Sequence, residues 1–157
     1  MEKIITYKKI LQVIKKLQSS KPIVLVGGCF DILHLGHIRF LKEAKKYGTV
    51  VVALESDQSL TKYKGQSRPI HKQTERAEVL TSLETVDYII LLPHFTSDKE
   101  YFDLTQLIRP GIIAVTAGDP LLSKKQDQAK LIGGKVVIIP KINTPSTTQL
   151  AKLLNLE

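Results

Sequence analysis

Five short apolar runs, rich in β-branched residues, alternate along this chain with segments of helical periodicity. They read IVLVGG, TVVVALE, DYIILLP, GIIAVTAG and KVVIIP. A strand that is apolar at every position is buried on both faces, which is typical of parallel sheets covered by helices. Because crossovers between parallel strands are right-handed, the pattern predicts an α/β fold of the doubly wound, Rossmann-like kind.

The predicted sheet has five parallel strands in the order 3-2-1-4-5. An added N-terminal helix is predicted over residues 2–18, where apolar side chains recur at helical spacing, and Ser19 and Ser20 are expected to end it. This stripe consists of Tyr7, Ile10, Leu11, Ile14 and Leu17.

Helical periodicity also predicts helices over residues 36–47, 73–84, 97–108 and 123–132, with a last helix from Ser146. The polar, lysine-bearing residues 56–71 are expected to form a loop. We expect one domain over residues 1–157, with the leading helix of residues 1–20 packed on it, because this length suffices to bury a sizeable core.

The charge of the chain favours anionic ligands. Lysine and arginine total 23 against 15 acidic residues, a formal net charge of +8. The excess is spread along the chain without a basic tail, so we expect nucleotides or phosphate esters rather than nucleic acid. No apolar run could span a bilayer, and no secretory leader is recognised, so no membrane partner is expected. With Cys29 as the single cysteine, these features predict a cytoplasmic protein.

Residues 26–41, VGGCFDILHLGHIRFL, carry polar groups where a strand gives way to a helix. His34 and His37 are three residues apart, so both imidazoles can face one point at the helix N-terminus. Free N–H groups and the helix dipole make such a terminus an anion site, and Gly27 and Gly28 allow close backbone approach. The stretch therefore predicts a site where negative charge develops on a phosphate.

Other interpretations of this stretch remain open. Histidines at a strand–helix corner are often structural, and a zinc site built from Asp31, His34 and His37 would be short of ligands. Cys29 fits small buried filler better than a nucleophile, because no adjacent base is fixed by the sequence. The chain contains neither GxxxxGK[ST] nor GxGxxG, which argues against a P-loop ATPase and a dinucleotide-dependent dehydrogenase.

The predicted topology brings other unusual stretches to this corner. Ligands of doubly wound sheets bind outside the carboxyl ends of the strands where the strand order reverses. Here the reversal lies between the first and fourth predicted strands, which end in GGCFDILHLGH and TAGD. The loop after the fifth predicted strand, KINTPSTT, is expected beside them.

The stretch GGCFDILHLGHIRFL resembles the HxGH motif of the cytidylyltransferase-like nucleotidyltransferases. The similarity continues through ESDQSLTKYKGQSRPIHKQTERAEVLTSLETVDYII and ends in STTQL, so it covers nearly the whole chain. Within this superfamily the chain is most similar to the adenylyltransferases of ADP-heptose synthesis, through its succession of SD, KG, RP, ER and VD.

This resemblance implies transfer of a nucleotidyl group, with AMP favoured, from ATP or CTP to a phosphorylated sugar or similar small phosphate. Pyrophosphate leaves in a direct in-line displacement, and Mg²⁺ is bound through the nucleotide phosphates. A homodimer is also implied. The alternatives are cytidylyl transfer to a glycerol 3-phosphate-type acceptor, adenylyl transfer to FMN, and a nucleotide-binding sensor without turnover.

The resemblance also assigns site residues. The catalytic positions are His34, His37 and Lys64. The nucleotide-binding positions are Gly28, Cys29, Phe30, Gly36, Gly118, Asp119, Lys141, Ser146, Thr147 and Thr148. The acceptor- or phosphate-binding positions are Asp31, Lys62, Arg68 and Arg76, and no residue is implied as a direct metal ligand.

Several of these positions have a plainer interpretation. The lysines lie in a segment that could be a solvated loop, and Arg76 could equally form a structural salt bridge or a subunit contact. The hydroxyls of residues 146–148 are expected to cap the last helix in any case. The chain also departs from the heptose enzymes after the fourth predicted strand. Those enzymes carry Lys-Gly-Gly-Asp-Tyr, whereas residues 116–120 read TAGDP, which removes a cation and predicts altered specificity.

Overall fold

A computed structural model describes residues 3–17 and 21–156. The strands are β1 (Ile4–Thr6), β2 (Ile23–Gly28), β3 (Thr49–Leu54), β4 (Tyr88–Leu91), β5 (Ile112–Thr116) and β6 (Lys135–Ile139). The helices are α1 (Ile10–Leu17), α2 (Leu35–Lys45), α3 (Asp57–Lys64), α4 (Gln73–Thr81), α5 (Asp98–Ile108), α6 (Leu122–Leu131) and α7 (Thr147–Leu153). A turn of 3₁₀ helix, Tyr7–Lys9, joins β1 to α1.

All six strands form one parallel sheet in the order β1-β4-β3-β2-β5-β6. The five strands predicted from the apolar runs take the predicted relative order, so the α/β Rossmann-like class is confirmed. The predicted number of strands was wrong by one. The strand order reverses at β2, which pairs with β3 on one side and β5 on the other.

The extra strand replaces the first turns of the predicted leading helix. Ile4, Ile5 and Thr6 are β-branched, and they pair with β4 at what would otherwise be an exposed edge of the sheet. The side chain of Lys3 anchors this edge by donating to the carbonyls of Thr81, the last residue of α4, and of Leu83 just beyond it. The prediction of a helix from residue 2 was therefore wrong over residues 4–6.

The helical stripe itself is largely correct. Ile10, Ile14 and Leu17 are buried, whereas Leu11 is 64% exposed and does not belong to the packed face. The predicted end of the helix, with residues 18–20, lies outside the described residues, as does residue 2.

Residues 56–71 are not entirely loop, because α3 occupies Asp57–Lys64. The Ser56 hydroxyl accepts from the Ser59 backbone N–H at the N-terminus of this helix, and Asp57 stands in its first turn. A capping serine followed by an acidic residue is a helix-start signal, so the sequence SD at residues 56–57 could have predicted this helix despite the polarity of the segment.

Helices cover both faces of the sheet. On one face α2 and α4 pack over alternate residues of the central strands, among them Val24, Val52 and Ala114. On the other face α1 and α5 cover the intervening residues of β2 to β4, and α6 covers Ile113 and Val115 of β5. Within the described parts of the chain, no helix is long and apolar enough to cross a membrane.

Candidate active site

A cleft of about 740 Å³ opens at the carboxyl ends of β2, β5 and β6. Its walls are the loop after β2, the first turns of α2, the loop after β5, and residues 139–146 between β6 and α7. The stretches GGCFDILHLGH, TAGD and KINTPSTT all contribute lining residues, so the predicted convergence at the reversal of strand order is confirmed.

His34 and His37 face each other in this cleft with ring centroids 3.9 Å apart. His34 is the N-cap of α2, where its Nδ1 accepts from the Gly36 backbone N–H at 3.1 Å. Because Nδ1 is an acceptor, the ring proton of neutral His34 resides on Nε2, which makes that nitrogen a donor. Burial lowers the pKa of His34 and favours this neutral form.

His37 lies deeper and is fixed by its aromatic neighbours. Its ring packs against His34 and against Phe30, whose centroid is 5.0 Å away. Burial, followed by the adjacent His34, lowers the pKa of His37 to about 4, an effect that the Ile32 carbonyl partly offsets. Its Nδ1 is buried and meets no group at hydrogen-bond geometry within residues 3–17 and 21–156. Both histidines are therefore neutral hydrogen-bonding groups near pH 7 rather than cations.

The glycines of the motif are required by the packing of these rings. A Cβ on Gly36 would lie 2.8 Å from Cε1 and 2.9 Å from Nδ1 of His34, so only glycine lets that imidazole cap the helix. A Cβ on Gly28 would lie 2.7 Å from the Phe30 ring, which itself contacts His37. The two glycines of the motif thus leave the space that the Phe30 and His34 rings occupy.

Cys29 also lines the cleft. Burial, with a smaller contribution from the nearby Glu55 carboxylate, raises the pKa of its thiol. A neutral thiol is a poor nucleophile, which agrees with its interpretation as small buried filler.

Nine of the predicted site residues line the cleft. They are Gly28, Cys29, Phe30, His34, Gly36, His37, Asp119, Lys141 and Ser146. Ser146 caps α7 by accepting from the Gln149 N–H, as expected for a helix start. The Thr147 hydroxyl donates to the Ile32 carbonyl at 3.0 Å, which fixes α7 against the loop that carries the histidines.

Other predicted positions lie elsewhere. Thr148 is half-buried in α7, and Gly118 is exposed with a φ of 84° in the turn after β5. Lys62 and Lys64 are exposed in the last turn of α3. The charge of Lys64 partly offsets the rise in the pKa of the Cys29 thiol.

Asp31 and Arg68 form a buried ion pair with 2.7 Å between Arg68 Nη2 and Asp31 Oδ2. The Asp31 carboxylate also accepts from the backbone N–H groups of Ile70 and His71. Burial opposes its ionisation, but these hydrogen bonds and Arg68 hold the pKa of Asp31 below its ordinary value. The pair joins the loop after β2 to the segment before α4.

Arg76 is 1% exposed and holds together three segments around the same corner. Its guanidinium donates to the carbonyls of Cys29, Glu55 and His71 and to the Asp57 carboxylate. These contacts give Arg76 the structural role that the sequence left open. The predicted contact of Asp31, Arg68 or Arg76 with a substrate phosphate stays a prediction.

Sequence reasoning overlooked the cations that line the rest of the cleft, namely Arg39, Lys42 and Lys125. Arg39 and Phe40 follow Gly36 at helical spacing, and Glu43 continues that stripe, so the periodicity of α2 could have identified its cleft-facing side. Lys125 has no such signal, because the turn after β5 determines where α6 begins.

Comparison with known proteins agrees with this geometry. The sequence profile described as cytidylyltransferase-like matches residues 25–151. The bifunctional protein HldE of Aliarcobacter butzleri is 38% identical over 149 residues, which are 94% of this chain and 30% of that protein. HldE of Nitratiruptor sp. is 40% identical over 134 residues, 85% of this chain and 28% of that protein. The chain thus spans less than a third of these relatives.

Solved structures share the fold. A lipopolysaccharide core biosynthesis protein from Thermoplasma volcanium superposes with a TM-score of 0.64 at 27% identity, covering 80% of this chain and all of that one. A pantoate–β-alanine ligase from Francisella tularensis gives 0.66 at 18% identity over 92% of this chain and 69% of its own, which shows the fold alone. The chain therefore belongs to the cytidylyltransferase-like family, and the resemblance to its nucleotidyltransferases predicted from the HxGH stretch is confirmed.

Proposed function

We propose that this chain transfers a nucleotidyl group, with AMP favoured, from a nucleoside triphosphate to a phosphorylated sugar or similar small phosphate. The observation that carries the proposal is the pair of neutral, stacked histidines at the N-terminus of α2 inside a cation-lined cleft. The relatives named HldE and the similar lipopolysaccharide core biosynthesis protein support a sugar-linked acceptor.

The reaction needs no general base from the protein. A phosphate monoester is largely ionised at pH 7, so its oxygen can attack the α-phosphorus without first losing a proton. The new P–O bond forms as the α–β anhydride bond breaks, and the electron pair leaves with pyrophosphate. Charge grows on the phosphoryl oxygens during this step, and positioned N–H donors stabilise such charge.

The neutral state of both histidines suits this chemistry. His34 presents Nε2–H, and the N-terminus of its helix adds backbone N–H groups and a positive dipole end. A positioned donor of this kind contributes about 3 kcal/mol to the transition state. Arg39, Lys42 and Lys141, which make no ion pair among the described residues, add positive potential at the cleft.

Mg²⁺ belongs to this proposal as an ion carried by the nucleotide. Within the described residues no three histidine, cysteine, aspartate or glutamate side chains form a group that could hold a metal. When bound, Mg²⁺ would neutralise phosphate charge. A homodimer and a cytoplasmic location accompany the proposal as expectations from the resemblance and the composition.

The test is a pyrophosphate-release screen with ATP and CTP against phosphorylated sugars, glycerol 3-phosphate and FMN. Release with ATP and a sugar phosphate supports the proposal, while release with CTP and glycerol 3-phosphate, or with ATP and FMN, selects the corresponding alternative. Nucleotide binding without release from any pair would leave a nucleotide sensor as the function. Repeating the screen with EDTA and excess Mg²⁺ tests the metal, and light scattering measures the subunit number.

A further inference from the structure

Lys125 enters the cleft from the side of the sheet opposite to the histidines. The helix α2 packs over Ala114, whereas α6 packs over Ile113 and Val115 on the other face of β5. Both helices reach the cleft where β5 ends. A ligand lying across the carboxyl edge of the sheet would therefore meet the histidines on one side and Lys125 on the other.

The position of Lys125 is fixed by Asp119. Lys125 Nζ lies 2.7 Å from Asp119 Oδ2, and the two side chains are only 25% and 17% exposed. The Oδ1 of the same carboxylate accepts from the Leu121 backbone N–H at 2.8 Å. Burial opposes ionisation of Asp119, but its hydrogen bonds from Lys125 and Leu121 hold the pKa of the carboxyl below the ordinary value.

This arrangement leaves Lys125 with unused donors. An ammonium group has three N–H donors, and in the described parts of the chain only Asp119 accepts from Lys125. The other cleft cations, Arg39, Lys42 and Lys141, are exposed and have no carboxylate partner within the described residues. Lys125 is the cation of the cleft wall whose position is set in advance, which lowers the entropic cost of binding an anion.

We propose that Lys125 binds a phosphate oxygen of a substrate, and that Asp119 is its positioning residue. The identity of the substrates rests on the proposed function. The phosphate site at Lys125 rests only on the geometry of Lys125 and Asp119. The phosphate belongs to the nucleotide or to the acceptor, and both present the same chemistry to an ammonium group.

The adjacent lysine provides a matched control. Lys124 lies on the same helix, and its Nζ pairs with Asp98 Oδ2 at 2.6 Å on the surface, where these side chains are 57% and 76% exposed. A Lys124→Ala variant removes the same charge from the chain without changing the cleft.

Calorimetry with ATP and with inorganic tripolyphosphate tests whether Lys125 binds the nucleotide phosphates. The KM for the acceptor tests whether it binds the acceptor phosphate. We expect Lys125→Ala to weaken nucleotide and tripolyphosphate affinity, or to raise the acceptor KM, by about tenfold to a hundredfold. Lys125→Arg should restore most of the affected quantity, and Lys124→Ala should change neither the affinity nor the KM. A loss in tripolyphosphate binding assigns the nucleotide phosphates, and a loss confined to acceptor KM assigns the acceptor phosphate. Unchanged values in both arms, or an equal loss in Lys124→Ala, would overturn the inference.

Asp119→Asn tests the positioning role. We expect it to weaken the same arm by a smaller factor in the wild-type background and to have no further effect on the Lys125→Ala variant. Tripolyphosphate binding can be measured whether or not the chain catalyses a reaction, so it tests Lys125 separately from the proposed function. A chain that binds it through Lys125 yet releases no pyrophosphate would refute the proposed function and retain this inference.

Discussion

His34 and His37 stack at 3.9 Å between ring centroids at the entry to α2, and each disfavours a positive charge on the other. Stacked imidazoles at this distance cannot both be cations at low cost, because like charges repel strongly in a partly buried site. Under the proposed function we expect the pair to act through N–H hydrogen bonds to a charged ligand, and this expectation leads to the first predictions.

Replacing His37 with alanine should reduce turnover about a hundredfold while the chain still folds. The side chain lies at the cleft, and its buried Nδ1 makes no hydrogen bond to the described residues that folding would lose. Steady-state pyrophosphate release and a thermal melt measure the two effects. His71→Ala is the matched control, since His71 is exposed outside the cleft. Full activity in the His37 variant would reassign the pair to structure.

Gly36→Ala should remove activity by moving His34. The added Cβ would lie 2.8 Å from the ring, which breaks the cap hydrogen bond to the Gly36 N–H. We expect a stability loss of about 1 kcal/mol from the cap and at least about a tenfold loss of turnover. Chemical denaturation and kinetics measure these changes. In a His34→Ala background the same substitution should cost less, because only the 3.2 Å approach to Thr144 Cγ2 remains, and an equal cost there would contradict the steric explanation.

Lowering the pH should destabilise the fold through His37. Its pKa is about 4 in the folded chain against 6.5 for an ordinary histidine, so between these values the unfolded state binds the extra proton. Stability therefore rises with pH over this window, because protonation of His37 costs the folded state up to about 3 kcal/mol below it and nothing above it.

Unfolding free energies measured at pH 7 and pH 4 check this expectation. The wild-type chain should lose up to about 3 kcal/mol more than a His37→Gln variant, which lacks the titrating ring. The same loss in both chains would show that other groups cause the acid sensitivity.

Arg76→Met should unfold the corner beneath the site. The substitution leaves the carbonyls of Cys29, Glu55 and His71 without their donor in a buried place. We expect a loss of about 3 kcal/mol or more in the free energy of unfolding. Arg76→Lys should recover only part of it, because one ammonium cannot span three carbonyls. Lys130→Met, at an exposed position of α6, is the control, and equal stability of all three variants would refute the structural role.

The central architecture could be predicted because its signal is local. Continuous apolar runs such as residues 23–28 must be buried on both faces, and chain handedness then leaves few ways to order the strands. The place of the HxGH stretch could also be predicted, since two histidines and a glycine at a helix start indicate a site where a strand ends and a helix begins. Convergence of this corner with TAGD followed from the topology alone.

The remaining features depend on neighbours that are distant in sequence. Residues 4–6 form a strand because β4 offers an unpaired edge, and helical periodicity around them carries no information about that edge. Arg68 pairs with the Asp31 carboxylate and Arg76 donates to the Cys29 and Glu55 carbonyls, and these partners meet only when the chain folds.

The sequence by itself therefore determined the layers of this protein and the place where its strands present a ligand site. Tertiary structure alone decided which charges reach that site. Asp119 and Lys125 come together in the cleft through the turn between β5 and α6, while Lys124, one residue away, faces solvent. The physical reason is that burial and hydrophobic period are properties of a segment, whereas the environment of a charge depends on every element packed around it.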